Sequence, residues 1–155
     1  MQLRISGKQK LTNMKNTFNK NKKNCTIISD TPYCLDRNGE LVGLGPTVEE
    51  IDHLATLFTN IYHFAPLYKI DQPKSYIRHQ KSNISIIPMT PSGGRFFFNK
   101  LKHFLLFPIN ILKLRPFLKK TDIIHFRAPT GFGVLFLPWI YIFWSKKIWI
   151  KYGGS

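Results

Sequence analysis

Acidic residues are scarce in this sequence of 155 residues: eight Asp and Glu stand against 23 Lys and Arg, a formal net charge of +15. That balance disfavours cationic partners and points to anions, whether nucleic acid, anionic lipid or phosphorylated substrates. Cysteine is nearly absent. Cys25 and Cys34 fit neither zinc-site spacing nor a C-x-x-C redox pattern, so they are expected as reduced thiols of a cytosolic protein, one on a strand and one in a loop. The longest apolar run, Phe132 to Trp144, has 13 residues, short of the ~20 that a membrane-spanning helix needs. The N-terminus lacks the compact apolar stretch of a signal peptide. Neither G-x-G-x-x-G nor G-x-x-x-x-G-K-[ST] follows the first apolar run, which disfavours dinucleotide and P-loop sites.

What is present argues for a folded domain. The chain is 43% apolar and 14% aromatic with 20% charged residues, enough to bury a core, and its length suits one domain rather than two. The charge is uneven. Residues 1–23 carry seven bases and no acid, 24–52 one base and six acids, and 53–155 fifteen bases and two acids. A basic body beside an acidic patch favours a localised site over a general polyanion-binding surface. Residues 1–23, rich in Lys and Asn without sustained periodicity, are expected as a basic flexible leader ahead of a domain over 24–155.

Short β-rich apolar runs recur at Cys25–Ser29, Ile61–Phe64, Ile84–Ile87, Asp122–Phe126 and Ile148–Tyr152. They are nearly continuous rather than alternating, as parallel strands covered on both faces require. Between them lie helical stretches. Thr47 and Glu50 have capping-box spacing directly after Pro46, so a helix is expected from Thr47 to near Asn60. A second is expected over about Arg95 to Leu118, kinked or split at Pro108, and a third from Gly133 to Trp144 through Pro138. This rhythm predicts an α/β fold, a Rossmann-like, doubly wound, mainly parallel sheet of about five strands.

Ligands of such sheets bind beyond the carboxyl ends of the strands, which singles out the loops there. The first holds Asp36 and three glycines, Gly39, Gly43 and Gly45, ahead of a helix whose free N–H groups could meet an anion; the structural alternative is a turn-rich loop. Gly93, Gly94 and Arg95 pair a pliant backbone with a guanidinium. His125 falls in the last turn of a buried strand, Arg127 at its carboxyl end and Thr130 at the start of the next helix. One imidazole specifies no reaction, and a core histidine bonded to backbone is the alternative for His125. The segment 95–120 interleaves aromatic and aliphatic residues with Lys and Arg, which suits either a basic helix on an anionic membrane surface or a core helix with a solvated basic rim.

Three segments carry a resemblance. The stretch from Cys25 through Leu67, with a strand, a glycine-bearing loop and a helix, the segment DIIHFRAPTGFGVLF and the ending KIWIKYGGS together resemble the N-terminal, acceptor-side domain of retaining GT-B glycosyltransferases of the glycosyltransferase-4-like group. The resemblance spans about residues 24–155 and implies sugar transfer from a nucleotide-sugar donor to a glycan or lipid-linked acceptor. In the family the donor is held by a C-terminal domain with a Glu-x7-Glu element, which this sequence lacks. The chain alone is thus expected to be inactive and without a cofactor or metal of its own, with the donor domain encoded downstream or separately. The resemblance places Asp36, Gly39, Gly43 and Gly45 near the donor phosphates and acceptor, and Arg127 and Thr130 in the acceptor crevice. No residue is assigned as a catalytic base. The expected setting is cytoplasmic, with peripheral contact to an anionic membrane and no nucleic acid. A non-enzymatic basic α/β domain binding anionic membrane or nucleic acid is the alternative.

Overall fold

The computed structural model describes residues 23–91, 97–128 and 133–152. Residues 1–22, Gly93, Gly94, Arg95, Thr130 and 153–155 lie outside them. The elements are β1 (Cys25–Ile28), β2 (Tyr33–Leu35), β3 (Leu41–Leu44), α1 (Gly45–Ala55), β4 (Ile61–Pro66), β5 (Tyr76–Ile77), β6 (Ile84–Met89), α2 (Phe97–Lys120), β7 (Ile123–Ala128), α3 (Gly133–Phe143) and β8 (Lys147–Tyr152).

All five expected apolar runs are strands of one sheet, ordered β6-β4-β1-β7-β8, and every neighbouring pair is parallel. The chain winds from β1 outward to β6, then crosses back to add β7 and β8 on the other side. The fold is therefore α/β and Rossmann-like, with its topological switch point between β1 and β7. Every residue of β1 is buried, as a central strand with two covered faces demands.

The two faces have different covers. Cys25, Ile27 and Ile61 pack with Ile51, Ala55 and Phe58 of α1 and the turn after it. On the opposite face Ile28, Phe64, Ile87, Met89, Ile124 and Phe126 pack with Leu114 and Leu118 of α2 and Phe136 and Ile140 of α3. Each large side chain fully buried there stabilises the fold by roughly 1.5–3 kcal/mol, and this larger cluster dominates the core.

Four expectations are corrected. The helix α1 starts at Gly45, with Leu44 as its N-cap and no side-chain cap; Pro46 sits in its first turn, and the Thr47–Glu50 capping box does not form. Proline is pre-organised for that position, and Glu50 is drawn instead to two cations described below. The helix also ends at Ala55, short of Asn60. The first loop is not irregular: β2, β3 and β5 form a separate three-stranded antiparallel sheet, which places Cys34 on a strand. Finally, α2 is one helix through Pro108 and Pro116, so of the two expected outcomes at Pro108 the split does not occur. Both prolines are exposed, so water can satisfy the carbonyls they leave free while buried Leu114 and Leu118 hold the inner face.

Candidate functional site at the carboxyl edge of the sheet

The first loop is accounted for residue by residue. Between β2 and β3, Asp36 N–H donates to the Glu40 carbonyl at 2.9 Å and Gly39 N–H to the Asp36 carbonyl at 3.0 Å. This is a three-residue hairpin turn closed by a left-handed residue, and Gly39, at φ 78°, supplies it. The Asp36 carboxylate accepts the N–H groups of Asn38 and Glu40 at 2.8 and 2.9 Å and pairs with the Arg78 guanidinium. The Arg78 hydrogen bond, before the backbone ones, holds this carboxyl below its ordinary range. Gly43 faces Tyr33 across the hairpin; a Cβ there would stand 2.6 Å from the Tyr33 ring. Gly45 N–H donates to the Ser75 carbonyl at 2.9 Å, and a Cβ on Gly45 would meet that oxygen at 3.0 Å. In this structure the close approaches made by Gly43 and Gly45 are to protein atoms.

The space granted by Gly43 seats the centre of a buried polar chain that sequence reading missed. Tyr33 Oη lies 3.0 Å from His63 Nδ1 and 2.9 Å from His79 Nε2. His63 Nε2 lies 2.8 Å from Ser29 Oγ, and His79 Nδ1 lies 2.7 Å from Asp52 Oδ1. Five side chains, from the residue after β1, from β2, α1 and β4, and from the segment after β5, thus form one line, Ser29–His63–Tyr33–His79–Asp52. An ionised Asp52 only accepts, so His79 donates from Nδ1 and, when neutral, accepts at Nε2 from Tyr33 O–H. Tyr33 then accepts from His63 Nδ1, and Ser29 donates to His63 Nε2. Burial first, then the charges of His79, Arg127 and His125, pushes His63 well below its ordinary pKa, which keeps it neutral for this role. Burial also raises the Tyr33 phenol, so its proton stays in place. Ser29 Oγ is left as an acceptor, with the Thr31 N–H at 3.3 Å as one donor. Spacing could not reveal this, because the five residues are dispersed between residues 29 and 79 at no regular interval; His and Tyr on apolar runs were the sole hint.

The switch point carries a second cluster. Ile28 and Phe126 are register partners, so Ser29 and Arg127, each one residue beyond, flank the crevice between β1 and β7. Arg127 Nη1 lies 2.9 Å from Glu50 Oε2, and Lys151 Nζ lies 2.7 Å from Glu50 Oε1. Burial alone would raise the Glu50 carboxyl; the Lys151 hydrogen bond and the Arg127 charge outweigh it and hold the carboxyl below its ordinary value. Two cations share one carboxylate, leaving the cluster positive. His125, two residues before Arg127 on the same face, is fully buried. Its ring stacks on Trp149 at 4.2 Å, and among the described residues neither ring nitrogen has a hydrogen-bond partner. Burial, then the Arg127 charge, pushes its pKa down to about 4.

Beside the hairpin, an open cavity of 710 Å³ is lined by Leu35, Leu67, Tyr68, Lys69, Ile70 and Asp71. A neighbouring one of 590 Å³ adds Asp36, Arg37 and Lys74. The structure therefore brings Arg127 and the helix begun at Gly45 together through Glu50, places Asp36 at the hairpin and its cavity, and buries His125 beside Arg127. Among the described residues no cluster of His, Cys, Asp or Glu could hold a metal, and no helix is long and apolar enough to cross a membrane. No family model, curated protein or solved structure matches the chain.

Proposed function

We propose that this chain is the acceptor-binding half of a glycosyltransferase of the two-domain kind its sequence resembles, taking a glycan or lipid-linked acceptor at the carboxyl edge of the sheet. The observation that carries the reading is Arg127 beside the β1–β7 switch point, where open α/β sheets bind ligands. Arg127 and Lys151 outnumber Glu50 there and suit an acceptor bearing a phosphate. The cavities beside Leu35 and Ile70 offer mixed apolar and charged walls for the rest of such a molecule. The donor nucleotide would belong to a second domain, and this chain is assigned no catalytic base.

Nuclear magnetic resonance of the isotope-labelled chain tests this. A soluble glycosyl phosphate should shift the backbone signals of Ser29, Thr31 and Arg127 saturably, and Arg127→Gln should abolish the response. Inorganic phosphate and a nucleotide sugar should act much more weakly. An equal response to inorganic phosphate, or no saturable response to any glycosyl phosphate, overturns the reading.

A further inference from the structure

The outer face of α2 has an organisation that the core does not explain. Its inner side is a continuous row of Asn110, Leu114 and Leu118, all fully buried, with Phe107, Ile111 and Phe117 partly buried beside them. Facing outward are Leu105, Ile109 and Leu112, which are 67%, 50% and 66% exposed. At roughly 100° per residue these three and Pro116 fall within about 60° of one another, forming a narrow apolar ridge. Lys113 and Lys120 flank one side of it, Arg115 and Lys119 the other, and all four are exposed. The helix contains no acid over its 24 residues. Prolines 108 and 116 also lie on this face, where a loss of backbone hydrogen bonds is least costly in contact with polar surroundings.

We propose that this ridge docks the protein on the surface of an anionic phospholipid bilayer, with Leu105, Ile109 and Leu112 entering the headgroup boundary and the four bases pairing with lipid phosphates. An apolar ridge with cations on both flanks is the pattern of a helix lying in a membrane interface. Charge complementarity selects an anionic lipid surface: each base near such a surface contributes severalfold in affinity, and these four have no acid on the helix to satisfy them. The apolar ridge by itself is too small to hold the protein on an uncharged bilayer. This inference is independent of sugar transfer and can fail without touching it.

The test uses the full chain with vesicles of phosphatidylglycerol mixed with phosphatidylcholine, and with pure phosphatidylcholine, in a flotation assay at low and high salt. The expected result is binding to the mixed vesicles that falls steeply with salt, and little binding to pure phosphatidylcholine. Leu105→Gln, Ile109→Gln and Leu112→Gln combined should reduce binding at least tenfold, and Lys113→Glu with Lys120→Glu by roughly 30-fold or more. Unchanged thermal unfolding shows that each variant remains folded, which is expected because every substituted residue is exposed. Binding that survives both sets of substitutions, as it would if residues 1–22 were responsible, overturns the proposal. So does equal binding to uncharged vesicles, or none to anionic ones.

Discussion

His63 and His125 occupy equivalent places in the sheet, on either side of Ile27 and in register with it. Both are fully buried. His63 has a partner on each ring nitrogen, Tyr33 and Ser29; His125 has none among the described residues and stacks on Trp149 instead. The difference follows from what covers each side. Above His63 the hairpin and the 78–80 segment bring in polar side chains from outside the sheet, whereas β8 beside His125 is an edge strand with Trp149 44% and Tyr152 73% exposed. The β1–β4 side is a saturated polar interior, and the β7–β8 side is an incompletely covered one. Burial pushes both imidazoles down, but only on the first side does the fold supply hydrogen bonds in return.

The largest way to break this contrast is Tyr33→Phe. It removes one hydroxyl and strands two buried imidazole nitrogens, so the variant should lose about 3 kcal/mol of unfolding free energy in urea titration. A loss below ~1 kcal/mol would mean that the line of five side chains is not maintained in solution.

His125→Leu sharpens the comparison through pH. The folded His125 takes a proton at about 4 against an ordinary 6.5, so between these values the unfolded chain holds more protons and stability falls as pH drops. Buried His63 adds to the fall in the same direction. At pH 7 the variant should be within ~1 kcal/mol of the parent, since it loses a ring stack but also an unpaired polar group. At pH 5 it should be the more stable of the two. Equal urea midpoints for parent and variant at pH 5 would show that His125 finds a polar partner or water.

The smallest expected effect belongs to Glu50→Gln, which frees Arg127 and Lys151. Partly exposed ion pairs contribute little, so the loss should stay under ~1 kcal/mol. The informative readout is thermal stabilisation by added phosphate, expected to be larger in the variant than in the parent. No gain would show that the two cations are not available to an anion.

Much of the sheet was legible in advance, and the reason is local. Five nearly unbroken apolar runs of strand length, separated by helical periods, leave few arrangements other than parallel strands covered on two faces, and the observed β1, β4, β6, β7 and β8 follow. The carboxyl-edge position of Arg127 followed from the same logic. The glycines of the first loop were harder to read because glycine suits both ligand approach and tight packing: Gly39 serves a turn, while Gly43 makes room for the Tyr33 ring and Gly45 for the Ser75 carbonyl. The capping box misled because Glu50 had stronger competing partners in Arg127 and Lys151, and one of these lies 101 positions away.

The periodic placement of apolar residues, by itself, determined the layers, the strand direction and which loops share an edge, because burial of a face depends on neighbours a few positions apart. Only the tertiary structure decided that Ser29, Tyr33, Asp52, His63 and His79 make one chain, that none of the described residues pairs with the His125 ring, and that the bases of α2 flank an outward apolar ridge. Hydrogen bonds and uncovered surface depend on where distant segments stop, and no spacing along the chain records that.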